Sequence, residues 1–124
     1  RGMDRSIYQE FMRVVDEHAA DTFRSAWTYD SNDWYALYVR EDIATDDLRN
    51  TVATLAQRAR EQEPIAPSEI YGKMGEVEAM IELHTDAVIL HFREAPTRGV
   101  IITFDQDAAR DLAGFVDQCN SVLQ

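Results

Sequence analysis

The segment from Glu76 to Arg93 constrains the fold more than any other part of the chain. Val77, Ala79, Ile81 and Leu83 alternate with Glu76, Glu78, Met80 and Glu82, and a two-residue side-chain period marks a β-strand with one buried face. A turn at His84-Thr85-Asp86 leads into a second strand from Ala87 to Arg93. A tight antiparallel hairpin pairs Leu83 with Val88, Ile81 with Leu90 and Ala79 with Phe92 on one face. The same register pairs Met80 with His91 and Glu78 with Arg93 on the other, the last an opposite-charge cross-strand pair. Pro96 and Gly99 bound the next loop, and Val100 to Phe104 reads as a third strand with Val100, Ile102 and Phe104 on the Leu90 side. Met80, Ile89, His91 and Ile101 then share the opposite face, too apolar to stand bare, so a helix or a partner chain is expected over it.

The remaining elements follow from period and punctuation. A first helix is expected from about Asp4 or Ser6, with Gln9 completing a weak capping box and Ile7, Phe11, Val14, Val15 and His18 on one face. Ala26–Tyr29 and Trp34–Val39 are aromatic and β-branched, as strands are. The tetrad Asp30-Ser31-Asn32-Asp33 between them reads as a hairpin turn. Thr45 is a suitable N-cap for a second helix whose stripe is Leu48, Val52, Leu55, Ala56 and Ala59, with Asp46 and Asp47 at its positive end and Arg58 and Arg60 at its negative end. Glu61–Pro67 reads as a loop joining two halves. Asp105 is expected to cap a last helix striped by Ala108, Leu112, Phe115, Val116 and Cys119. The order is αββαβββα, an α+β class with an antiparallel meander. A single domain over residues 4–123 is expected, with Arg1-Gly2-Met3 read as an expression remnant and start.

Charge narrows the setting. The 124 residues carry 23 acidic and 12 basic side chains, a net charge of −11, and 11 of the 12 basic ones are Arg, Lys73 being the exception. A surface of carboxylates almost without Lys suits molar salt, where the Debye length is about 3 Å, and resembles that of halophilic archaea. An acidic domain aimed at a basic partner is the alternative. The absence of a basic stripe speaks against nucleic-acid binding. The apolar run Ala87–Leu90 is far too short to span a bilayer. The lone Cys119 leaves no internal disulfide, so a reducing cytoplasm is expected.

No catalytic, cofactor or metal site is expected. Asp30 to Glu41 has the length of a calcium loop, but Tyr35 stands where such a loop needs glycine for its turn. His18, His84 and His91 have no metal spacing, and His91 beside Met80 reads as a packed or interface residue. Cys119 at helical spacing on an apolar face reads as a buried, inert thiol. Gly72-Lys73-Met74-Gly75 is too short for a phosphate loop. Trp27, Tyr29, Trp34, Tyr35 and Tyr38 concentrate aromatic area in one hairpin, expected to line the core under the terminal helices, with Trp34 or Tyr35 the members to emerge.

This order of elements resembles the Roadblock/LC7 fold, a five-stranded antiparallel sheet with the middle helix on one face and the terminal helices on the other. Separately, Tyr29–Asp42, together with Ala87–Phe92 and Arg98-Gly99-Val100, is similar to small acidic haloarchaeal proteins of unknown function. The first resemblance implies a non-enzymatic homodimeric scaffold or regulator, often beside small GTPases, with middle helices packing together and sheets joining edge to edge. The candidate interface is then Leu48, Val52, Leu55, Ala59, Met80, Ile89 and His91, with Trp34 and Tyr35 from the aromatic hairpin. Glu76, Glu78 and Glu82 would lie near that edge, tolerable in salt or protective against unwanted pairing. A small-ligand-sensing domain, with a pocket between the aromatic hairpin and the terminal helices, is the alternative reading.

Overall fold

The computed structural model describes residues 5–124, so Asp4 and the expected remnant at 1–3 lie outside the described residues. Helix α1 (Arg5–Ala19) leads through one 3-10 turn into strands β1 (Phe23–Tyr29) and β2 (Trp34–Val39). Helix α2 (Asp46–Glu61) follows. Strands β3 (Met80–Leu83), β4 (Ala87–Ala95) and β5 (Arg98–Asp105) and helix α3 (Arg110–Leu123) complete the chain. All strand pairs are antiparallel, in the order β2-β1-β5-β4-β3. The αββαβββα order and the α+β class are those read from the sequence.

The meander forms in the expected register. Met80 pairs with His91, Ile81 with Leu90 and Leu83 with Val88, and Val88, Leu90 and Phe92 pair with Phe104, Ile102 and Val100. The expected pairs of Ala79 with Phe92 and Glu78 with Arg93 do not form, because β3 begins only at Met80. Arg93 instead donates to the Ala59 carbonyl at 2.6 Å, capping the negative end of α2.

Each sheet face has its own core. On one, Val15 and Ala19 of α1 pack with Phe23, Ala26, Val100, Ile102 and Phe104, joined by Tyr8, Phe11, Met12, Leu90 and Phe92. A register shift between Phe23 and Ser25 lets Phe23 and Ala26, three residues apart, share this face, as an extra residue in a strand does. On the other, Ala56 and Ala59 of α2 pack on Tyr29, Trp34 and Ile101. Thr45 caps α2, accepting from the Leu48 amide at 3.4 Å. Arg60 of α2 donates to the Asp30 and Asp33 carbonyls at 2.6 and 3.0 Å, tying the helix to the β1–β2 turn. Asp30 closes that turn by accepting from the Asn32 and Asp33 amides, both at 2.9 Å.

Three helical expectations need correction. The inward face of α1 is Tyr8, Phe11, Met12, Val15 and Ala19, rotated from the expected stripe, so Ile7, Val14 and His18 are exposed. Asp105 caps nothing with its side chain. Its carboxylate instead takes a two-pronged bond from Arg40 at 2.8 and 2.9 Å and one from Arg24 at 3.3 Å. Arg40 in turn holds Asp42 at 2.6 Å, and this cluster joins β1, β5 and the exit from β2. On α3 only Ala113 is buried, while Leu112, Phe115, Cys119, Val122 and Leu123 are exposed. The spacing that suggested a buried thiol is real, but the helix lays Ala113 and Val116 inward, with Ala109 just before it.

Candidate functional site: a groove between the middle helix and the sheet

Helix α2 does not cover its sheet face completely. Its stripe residues Val52, Ala56 and Ala59 are buried, yet an open groove of about 1290 Å³ remains between the helix and the strands. Leu48, Val52 and Leu55 form the helix wall, and Trp27, Ile89, Ile101 and Met80 form the sheet wall. Alternation along the strands puts these residues together. Residues 25, 27 and 29 of β1 face α2, as do Ile101 and Thr103 of β5 and Ile89 and His91 of β4. Asp42, Asp47, Glu61, Glu82 and Asp86 line it against two basic side chains, Arg24 and Arg58.

Two sets of polar groups in the groove are bonded together. Ser25 Oγ meets Thr103 Oγ1 at 2.6 Å and accepts from Trp27 Nε1 at 3.0 Å. At the far end His91, 3 % exposed, bridges two partners. Its Nδ1 lies 2.6 Å from Gln62 Oε1 and its Nε2 2.6 Å from the Tyr29 hydroxyl. A carbonyl oxygen only accepts, so Nδ1 carries a proton, and with the ring held neutral by its burial Nε2 accepts from the Tyr29 hydroxyl. Burial, and then the Arg93 charge, push its pKa down to about 4, and burial pushes the Tyr29 phenol up. Gly99 makes room for this pair. A Cβ there would lie 2.5 Å from the Phe92 carbonyl oxygen and 2.7 Å from the Tyr29 hydroxyl.

Of the interface residues read from the sequence, Leu48, Val52, Leu55, Ala59, Met80, Ile89, His91 and Trp34 all line this one groove. Val52, Ala59 and His91 are already covered by their own chain, whereas Leu55 is 51 % exposed. Tyr35 is not among them. It pairs with Thr28, whose hydroxyl meets Tyr8 of α1 at 3.1 Å, so it belongs to the other sheet face and is exposed there. The aromatic hairpin is thus divided. Tyr29, Trp27 and Trp34 gather toward α2, with the two indoles edge to face at 5.5 Å, while Tyr38 stacks on Phe23 at 4.6 Å. The pocket expected under the terminal helices lies instead on the opposite face, against α2.

The residues missed from the sequence are Tyr29, Gln62 and Gly99 as the setting of His91. The signal was indirect, a glycine on β5, the strand that separates the tyrosine's β1 from the histidine's β4. Among the described residues, no group of three or more His, Cys, Asp or Glu side chains converges as a metal site, and no helix is long and apolar enough to cross a membrane.

A family described as a domain of unknown function (DUF7522) matches the chain over residues 9–124. No curated protein and no solved structure matches it.

Proposed function

The chain belongs to the DUF7522 family of domains of unknown function, and on that footing we propose that it is a non-enzymatic interaction and regulatory module that works as a homodimer. The observation that carries this reading is the open, largely apolar groove beside an unpaired sheet edge. Strand β3 is the last strand of the sheet, and its Met80 also lines the groove. An exposed strand edge is a template for pairing, and a neighbouring apolar trough gives the pairing something to bury. The element order supports a Roadblock/LC7-like mode of assembly, with a GTPase or another regulator as the further partner. The acidic, Lys-poor surface supports a halophilic cytoplasm as its setting.

Light scattering after gel filtration, in molar KCl and in dilute buffer, tests the reading. A concentration-stable dimer in molar KCl is expected, and Leu55→Arg, which puts a charge on the exposed helix wall, should dissociate it. A clean monomer of the unaltered chain in molar KCl overturns the proposal.

The second reading, a small-ligand sensor, is favoured by one observation: Trp27 and Trp34 meet edge to face in the same groove and offer stacking surface to a flat apolar ligand. A rise in melting temperature with a metabolite panel, lost on Trp27→Ala, would select it.

A further inference from the structure

Between α2 and β3 the chain runs through residues 62–79 with only two short turns, at Pro67–Tyr71 and Gly72–Gly75. This segment is unusual in what it exposes. Ile65 is 102 % exposed, Ile70 78 %, Met74 74 %, Tyr71 48 % and Val77 44 %. Beyond Gln62, which bonds to Ala59 and His91, the segment bonds to itself. The Ile70 and Tyr71 amides donate to the Pro67 carbonyl, the Gly75 amide to Gly72, and Ser68 Oγ to Glu76. Three large apolar side chains are thus held largely in solvent, and Tyr71 and Val77 about half so.

The groove begins where this segment is anchored. Gln62 and Met80, its two flanks, both line the groove, yet residues 63–79 contribute nothing to the lining. One stretch of the chain therefore offers uncovered apolar side chains at the edge of an uncovered apolar trough, without filling it.

We propose that residues 63–79 are an exchanged arm: in a dimer joined at β3, each arm lies in the α2–sheet groove of the other copy. This rests on the homodimer reading and specifies which segment makes the interface. Pairing two β3 edges would bring each arm, which leads into β3, to the seam that its partner's groove adjoins through Met80. The area is right as well. A large apolar side chain removes on the order of 100 Å² from water when fully buried, so the exposed fractions above amount to roughly 350 Å² per arm. Two arms and the surfaces receiving them come to roughly 1,400 Å², within the range of stable interfaces. Charge adds a signature. The arm carries Glu63, Glu69, Glu76 and Glu78 against one Lys73, and the groove is lined by Asp42, Asp47, Glu61, Glu82 and Asp86 against Arg24 and Arg58, so salt should strengthen the exchange by screening the net like charge.

Cross-linking between two distinguishable chains tests the arm. Both carry Cys119→Ser. One, with a mass tag, carries Ile70→Cys or Met74→Cys, and the other carries Leu55→Cys or Ile89→Cys. Mixed in molar KCl and mildly oxidised, at least one arm–groove combination should give a disulfide between tagged and untagged chains in preference to like-with-like products. Met74→Arg should raise the dimer dissociation constant at least tenfold without shifting the far-UV circular dichroism. A dimer that gives no arm–groove cross-link and ignores Met74→Arg overturns the arm and leaves the homodimer standing. A monomer in molar KCl overturns both. With both cysteines in one chain, a disulfide that forms only within monomers would show the arm closing on its own groove, which also overturns exchange.

Discussion

Protonation of His91 gives the fold a stability change confined to a narrow pH range. The neutral ring donates from Nδ1 to Gln62 and accepts at Nε2 from Tyr29, 3 % exposed and beside Arg93. Its folded pKa is about 4 against an ordinary 6.5. Between those values the unfolded chain binds a proton that the folded chain refuses. Stability therefore rises with pH across the window, is fully present above about pH 7, and falls as the pH drops toward 4. At 1.36 kcal/mol per decade in the equilibrium, the gap from 6.5 to 4 corresponds to about 3 kcal/mol, of which about 2 kcal/mol is gone by pH 5. The carboxylates bonded to arginine, Asp42 and Asp105, have pKa values lowered from 3.8, so their contribution is lost only below this window. The assay is urea unfolding at pH 8, 7, 6, 5 and 4.5 in constant molar KCl, with Trp27 and Trp34 as fluorophores. His91→Gln lowers stability overall but should flatten the curve between pH 7 and 5. If His91→Gln and the unaltered chain lose stability in parallel across that range, the buried neutral imidazole is not the source and the reasoning fails.

Two further perturbations probe the frame around the groove. Gly99→Ala sets a methyl against the Phe92 carbonyl and the Tyr29 hydroxyl, and overpacking of this kind costs about 1–3 kcal/mol. The melting temperature should fall by several degrees, and the His91-dependent slope should shrink because Tyr29 is displaced. Asp105→Asn removes the carboxylate that holds Arg40 and Arg24. The cluster is part-exposed, with 34 % of the Asp105 side chain accessible, so the loss should be about 1–2 kcal/mol, read by thermal unfolding at pH 7 and shrinking as the pH falls below the ordinary carboxyl range toward the lowered pKa of Asp105.

Local pattern determined a good deal of this protein. Alternation in Met80–Leu83 and Ala87–Phe92 is enough to set their register, because a one-residue slip would turn Val88 and Leu90 away from Ile102 and Phe104 and expose them. The Asp30–Asp33 turn and the Thr45 cap are bonds between a side chain and a backbone two or three residues away, so short-range sequence carries them. That the sheet face bearing Met80, Ile89, His91 and Ile101 had to be covered also followed from its composition, and eight of the nine candidate interface residues fall in one groove.

Tertiary structure alone decided which face each helix buries and what each polar group meets. The stripe of α1 rotated because Tyr8, Phe11, Met12, Val15 and Ala19 fit the β1–β5–β4 surface better than Ile7 and Val14 do. Helical period marks a set of apolar faces, and only the opposing surface chooses among them. Cys119 shares its helix with Ala113, yet only Ala113 found a surface to pack on. Asp105 preferred two arginines brought from β1 and the exit of β2 to the helix end beside it, since a charged pair outweighs a single cap bond. Tyr29, Gln62 and His91 lie 29 or more residues apart in the chain, and Gly99 sits on a third strand between the other two. Their meeting depends on the sheet order β1-β5-β4 and on where α2 ends, which no local pattern encodes.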